Sequence, residues 1–251
     1  MLTRQQITDF ERDGYILIKG FYTAAEMREI TAWTDEVSNY PELPGKYMMY
    51  FEQSQLDPGR RILCRMEDFE PYHQGFSRLF NSERMLGHVA QLFGGPAVLF
   101  KDKINFKLPG GDGFKAHQDV QAGWDVYAPL HITALLTIDP CTPANGCLEV
   151  AAGLHKQGLL GDMWKPMWKP LPEDELVYKP LPTEPGDAIF FDSYTPHRSK
   201  PNHTAQARRV LYVTYNKLAD GDQRRRYYDD KRQNYPPDCE RQADKKYAFR
   251  V

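Results

Sequence analysis

Apolar positions recur at helical spacing through roughly the first hundred residues and at strand spacing, in short runs, from Ala97 onward. Thr3 and Gln6 form a capping-box pair ahead of Ile7 and Phe10, so the chain is predicted to start with a short helix. Asp13-Gly14 then turns into the apolar run Tyr15-Ile16-Leu17-Ile18, and Ala24 to Ile30 reads as a second helix. Pro41 and Pro44 make residues 39–45 a loop, while Met85, Val89 and Leu92 give residues 82–93 a helical period. After Ala97 the runs AVLFKDKINFKL, LHITALLTI, CLEVAA, AIFFD and RRVLYVTYN alternate with turn sequences. Those turns are Pro109-Gly110-Gly111, Ala144-Asn145-Gly146 and Glu184-Pro185-Gly186-Asp187, which supply φ > 0 or a pre-set φ. Short strands punctuated in this way predict an all-β sandwich or barrel with flanking helices.

No linker-like segment divides the chain, so we read a single domain over residues 1–251. Its helical elaboration lies mainly in 1–95, its β core runs from about 96 to 218, and a charged tail covers 219–251. Within the core, Met163-Trp164-Lys165-Pro166 is imperfectly duplicated as Met167-Trp168-Lys169-Pro170; copies this short read as a surface loop or lid.

Composition narrows the functional classes. The formal charge is −2, from 32 basic and 34 acidic residues, which gives no global electrostatic reason to expect nucleic acid or an anionic membrane as partner. No stretch approaches the roughly 18 to 20 apolar residues of a membrane span, and the first residues lack the apolar region of a signal peptide. The expectation is a cytoplasmic protein whose partner is a small molecule. Cys64, Cys141, Cys147 and Cys239 show no CxxC spacing and read as reduced and structural.

The candidate chemistry lies in His117-Gln118-Asp119, followed 78 positions after Asp119 by His197 and 11 further on by Arg208. On an extended strand, residues i and i+2 share a face, so His117 and Asp119 can reach one ion. Two neutral imidazoles and a carboxylate leave three positions of an octahedral metal open, whereas a structural zinc site leaves none. By itself this donor set also suits manganese, cobalt, nickel or zinc. Downstream, Pro185-Gly186-Asp187, the apolar Ala188-Ile189-Phe190-Phe191, His197-Arg198-Ser199 and Arg208 complete a more specific pattern.

In these motifs, from Asp13-Gly14-Tyr15 to Arg208, the chain resembles the phytanoyl-CoA dioxygenase family of iron(II)/2-oxoglutarate-dependent oxygenases. The resemblance implies a double-stranded β-helix, a jelly roll of the cupin type, in agreement with the strand spacing. It implies that His117, Asp119 and His197 bind iron(II), and that Arg208 clamps the far carboxylate of 2-oxoglutarate, with Ser199 and Lys107 beside it. A planar guanidinium suits that task, being always charged and bidentate. Arg209 should face the other way on a strand. His131 and His155 read as structural, His203 as part of a turn, and His73 and His88 as incidental to the chemistry.

The implied reaction consumes 2-oxoglutarate and dioxygen, releases succinate and carbon dioxide, and hydroxylates a substrate C–H bond. Lys103, Asn105, Lys107, Gln121, Trp124 and Tyr127 flank the motif and suit a small charged molecule, with Asn105, Gln121 and Trp124 as its contacts. The segment GDQRRRYYDDKRQNYPPDCER, with KINFKLPGG and AHQD, is similar to the branch of the family that hydroxylates organophosphonates. That branch takes 2-aminoethylphosphonate or its N-methylated relatives and attacks the carbon bearing phosphorus. Read from its residues alone, the same segment is a self-neutralising charged tail, and a basic nucleic-acid arm would lack its acids. An acyl-CoA or another small metabolite is the alternative substrate. A cupin-like metal or ligand-binding protein without turnover is the alternative class, and such a protein has no evident use for Arg208.

Overall fold

Local capping sets the first elements of the computed structural model, which describes residues 1–164, 170–172 and 175–247. Thr3 accepts from the Gln6 backbone and Gln6 reaches back to the Thr3 N–H at 2.8 Å, starting α1 (Arg4–Asp13). A box of this kind satisfies two otherwise orphaned donors, and its N-cap contributes about 1 kcal/mol. Gly14, at φ 80°, ends that helix and turns the chain into β1 (Tyr15–Ile18). Thr23 and Glu26 form a second box at the start of α2 (Ala24–Ser38). Two further helices follow, α3 (Gln74–Phe80) and α4 (Glu83–Phe93), the latter capped by Ser82 and closed by Gly94 at φ 67°.

Between these helices runs a hairpin absent from the sequence expectation, β2 (Met48–Gln53) paired antiparallel with β3 (Arg61–Glu67). Its period-2 signal is hidden because Arg65 and Glu67, at alternate positions of β3, are buried charges where an apolar residue would normally stand. The remaining strands are β4 (Ala97–Lys107), β5 (Phe114–His117), β6 (His131–Thr137), β7 (Leu148–Val150), β8 (Lys179–Leu181), β9 (Ala188–Asp192), β10 (His197–Ser199) and β11 (Arg208–Lys217). They form a seven-stranded sheet, β1-β9-β6-β11-β4-β3-β2, and a four-stranded sheet, β5-β10-β7-β8.

The large sheet is covered on both faces. Ile104, Phe106, Leu136, Phe190, Leu211 and Val213 pack with Met27, Ile30, Phe76, Phe80, Met85 and Val89 of the helices. On the other face Leu135, Ile189, Phe191, Val210 and Tyr212 meet Leu148, Val150 and Leu181 of the small sheet. This is the jelly roll that the strand spacing and the family resemblance implied.

The segment after residue 218, read as a charged tail, instead carries α5 (Arg224–Asn234), which is docked through paired charges and aromatic rings. Tyr227, Tyr228 and Lys231 are buried. Lys231 Nζ lies 2.6 Å from Glu67 and Arg224 lies 2.5 Å from Asp102, so each charge is answered by one far away in the chain. The duplicated Trp-Lys-Pro motif lies largely outside the described residues, at 165–169. Among the described residues, the cysteines are free, and no helix is long and apolar enough to cross a membrane.

Candidate active site

Pairing within the small sheet creates the metal-site geometry. In the register of β5 and β10, His117 lies directly opposite His197, and their ring centroids are 4.3 Å apart. Asp119 is not on the strand as expected, because β5 ends at His117 and Asp119 opens a 3-10 turn that runs to Ala122. The extended backbone of Gln118 (φ −109°, ψ 135°) preserves the alternation for one residue longer, so the carboxylate still returns to the histidine side. Asp119 Oδ1 stands 3.8 Å from Nε2 of each histidine, and one ligand atom from each residue lies within 4.8 Å of the others.

The protonation pattern also suits a metal. His117 Nδ1 donates to the Lys115 carbonyl at 2.7 Å and His197 Nδ1 to the Thr195 carbonyl at 2.9 Å. A carbonyl can only accept, so in the neutral ring Nδ1 carries the proton and Nε2 presents its lone pair to the ion. Burial, reinforced by His197, pushes His117 down to about 3 and keeps it neutral. Burial pushes the Asp119 carboxyl up, but His197, His117 and Lys103 outweigh it and hold the group below the usual carboxylate range. Two imidazoles and one carboxylate, all buried, therefore fit a divalent cation.

Gln118, which the sequence reading left without a role, holds the surrounding loops. Its Nε2 donates to the carbonyls of Gly158 (2.8 Å) and Tyr194 (2.7 Å), and its Oε1 accepts from Leu160 N–H (2.8 Å). Its side chain points away from the two ligands beside it, so one extended residue serves both the ion and the frame. Gln118→Leu strands buried donors and acceptors, at about 1–3 kcal/mol each, and is expected to lower stability by roughly 2–4 kcal/mol. Urea denaturation checks this, together with an expected loss of metal affinity of about 10–100-fold, the usual effect of removing a ligand's support.

Residues flanking the motif separate into two groups. Gln121 Nε2 donates to the Asp162 carbonyl and its Oε1 accepts from Gln118 N–H, so its side chain ties the turn together instead of facing a ligand. Trp124, 2% exposed, packs against Phe100 and His131 at centroid distances of 5.6 and 5.4 Å. Tyr127 donates to Asp230 on α5 at 2.7 Å. Neither Gln121 nor Trp124 lines the cavity at the triad, because the 3-10 turn after Asp119 carries the chain away from it.

The second group lies on β4. Lys101, Lys103, Asn105 and Lys107 share its inner face, registered opposite Thr214, Tyr212, Val210 and Arg208 of β11. Arg208 is 1% exposed, and its Nε and Nη1 have no hydrogen-bond partner among the described residues. Arg209 faces outward and pairs with Asp139 at 2.8 and 2.9 Å, as strand alternation requires. Lys107 Nζ donates to Ser199 Oγ (2.8 Å) and to the Lys200 carbonyl (2.5 Å), and burial next to Arg208 depresses its pKa strongly. Arg208, with unused donors, and the adjacent buried Lys107 amine are arranged to receive a carboxylate. Lys103 and Asn105 line the triad's cavity, and Asn105 also lines a larger adjoining cavity of about 310 Å³.

Solved structures share this fold. The chain superposes on EctD from S. alaskensis, solved with 2-oxoglutarate and 5-hydroxyectoine, with a TM-score of 0.73 and 20% identity, covering 87% of this chain and 77% of that one. It also matches the epimerase SnoN, solved with Fe3+, alpha ketoglutarate and nogalamycin RO, with a TM-score of 0.69, 20% identity and coverage of 85% and 83%. Jelly rolls with this metal-binding geometry are the scaffold of the iron(II)/2-oxoglutarate-dependent dioxygenases, and this chain is an enzyme of that class. A family model described as Phytanoyl-CoA dioxygenase (PhyH) matches residues 10–210. The chain belongs to the phytanoyl-CoA dioxygenase family. It is 40% identical to a 2-aminoethylphosphonate dioxygenase from uncultured bacterium HF130_AEPn_1, over 98% of this chain and 94% of that protein. It is also 40% identical to a methylphosphonate hydroxylase from Gimesia maris, over 93% and 88%.

Proposed function

We propose that this enzyme hydroxylates a small organophosphonate, 2-aminoethylphosphonate or a close relative, at the carbon bearing phosphorus. His117, Asp119 and His197 hold the iron(II), and Arg208, with Ser199 and Lys107, takes the far carboxylate of 2-oxoglutarate. When bound, the metal and cosubstrate supply the oxidising power that inserts one oxygen atom of dioxygen into a C–H bond. The chain's own part is to fix the ligands, exclude water and aim the substrate. The observation that carries the reading is the row Lys101, Lys103 and Lys107 buried on the inner face of β4, with Lys103 in the cavity that holds the triad and Lys107 beside Arg208. Such a row suits two anions, a dicarboxylate cosubstrate and an anionic substrate. The identity to relatives named for phosphonates over almost the whole chain supports the same substrate class.

The test is succinate release by the iron-loaded enzyme across 2-aminoethylphosphonate, its N-methylated forms, methylphosphonate, betaines and acyl-CoAs. A phosphonate is expected to stimulate release above the substrate-free rate and to yield its 1-hydroxy product. Stimulation by an acyl-CoA or a betaine, with none by any phosphonate, would overturn the assignment.

A further inference from the structure

Among the described residues, one lysine beside the triad makes no ion pair and no side-chain hydrogen bond. Lys103 is only 8% exposed and lines the cavity that holds His117, Asp119 and His197. Its Nζ lies 4.6 Å from the centroid of Tyr212 and 5.7 Å from that of Phe114, with no hydrogen-bond acceptor or paired carboxylate among the described residues. Glu67, the residue opposite Lys103 in the register of β3 on β4, is already shared. Glu67 is contacted by Lys231 at 2.6 Å, Arg65 at 3.2 Å and Lys101 at 3.5 Å, so its single charge is exceeded by the cations around it. Asp119 belongs to the metal, and Lys107 lies beside Arg208, bonded to Ser199 and the Lys200 carbonyl, at the place read as the cosubstrate's. An ammonium buried without a partner costs several kcal/mol. A fold that keeps one on the inner face of a strand, where an apolar residue would pack, gains from it only when an anion arrives.

We propose that Lys103 Nζ is the recognition group for the tetrahedral oxyanion of the substrate, its positive field reinforced by the Arg65, Lys101 and Lys231 cluster around Glu67. This inference rests on the phosphonate reading above and adds to it the residue that selects the substrate. An ammonium on a flexible stem is a point charge that suits a phosphonate, whereas the planar fork of Arg208 suits a carboxylate. The arrangement also accounts for the position of attack. Because Lys103 lines the triad's own cavity, an oxyanion held there brings the carbon attached to phosphorus, not a more distant one, toward the metal.

The test uses full-length enzyme loaded anaerobically with iron(II) and 2-oxoglutarate and titrated calorimetrically with 2-aminoethylphosphonate, methylphosphonate and inorganic sulfate. Lys103→Met is expected to weaken each phosphonate by about 10–150-fold, the effect of losing one charge-assisted contact, while 2-oxoglutarate affinity stays within about threefold. Lys103→Arg should recover part of the loss. The melting temperature of Lys103→Met should equal or exceed that of the parent, because an uncompensated buried charge has been removed, whereas a merely structural lysine would lower it. Unchanged phosphonate affinity in Lys103→Met overturns the proposal, as does an equal loss of 2-oxoglutarate affinity. If the parent binds sulfate through Lys103 but neither phosphonate, the anion site stands and the phosphonate reading falls; if it binds none of the three, both fall.

Discussion

Replacing His117 by alanine is expected to abolish iron retention and substrate-dependent succinate release together, with turnover falling on the order of 10³-fold or more. The reason lies in the donor count. The site offers three protein ligands within 4.8 Å of one another, and removal of one leaves a bidentate pair that cannot hold the ion against solvent. The fold should survive, because His117 ends β5, and the neutral imidazole is replaced by a smaller side chain without leaving a buried charge. What is lost is the hydrogen bond from Nδ1 to the Lys115 carbonyl, about 1 kcal/mol. Metal analysis after iron loading and gel filtration, with circular dichroism on the same sample, separates loss of metal from loss of structure. Full succinate release by His117→Ala in iron-replete buffer would show that the triad is not the catalytic centre.

Arg208→Met is expected to leave iron binding intact and to raise the 2-oxoglutarate concentration needed for half-maximal rate by roughly 10²–10⁴-fold, the loss of two charge-assisted hydrogen bonds. The effect should fall on cosubstrate affinity more than on the rate at saturation, since Arg208 is remote from the bond that breaks. A second readout distinguishes a clamp from a structural arginine. Arg208 Nε and Nη1 have no hydrogen-bond partner among the described residues, so replacing them with an apolar chain of similar reach should not destabilise the protein without ligand. Thermal melting with and without 2-oxoglutarate, in the presence of a redox-inert divalent metal, should show a ligand-induced rise in the parent and none in the variant. An unchanged ligand response in Arg208→Met would reassign the carboxylate to Lys107. Arg208→Lys is not expected to rescue, because a single ammonium cannot reproduce the planar pair of donors.

How much of this was legible in the sequence depended on whether a residue's role is set by its neighbours in the chain. The capping pair Thr3/Gln6 acts over three residues, and the first helix begins where it stands. Strands whose outer face is apolar, such as β9 and β11, declare themselves by composition. The hairpin of β2 and β3 and the helix α5 did not, because their inward positions carry charges neutralised from a distance. Glu67 and Lys231 are 164 residues apart, and neither residue type signals burial without the other. The flanking residues differ in another way. Gln121 and Trp124 lie close to Asp119 in sequence, but the 3-10 turn rotates them out of the cavity, whereas Lys103 and Asn105, more than ten residues away, stand at its wall.

The sequence by itself determined a β sandwich or barrel with flanking helices, because strand periodicity and turn chemistry are properties of the chain, and the resemblance carried by its His-x-Asp, histidine and arginine motifs implied the jelly roll of the phytanoyl-CoA dioxygenase family. Only the tertiary structure decided which charges face which. The register of β5 on β10 sets one imidazole against the other, and the register of β4 on β11 sets Lys103 beside Tyr212 and Lys107 beside Arg208. The physical reason is that electrostatic energy depends on distance and dielectric, and neither is defined until the strands have paired and water has been excluded from between them.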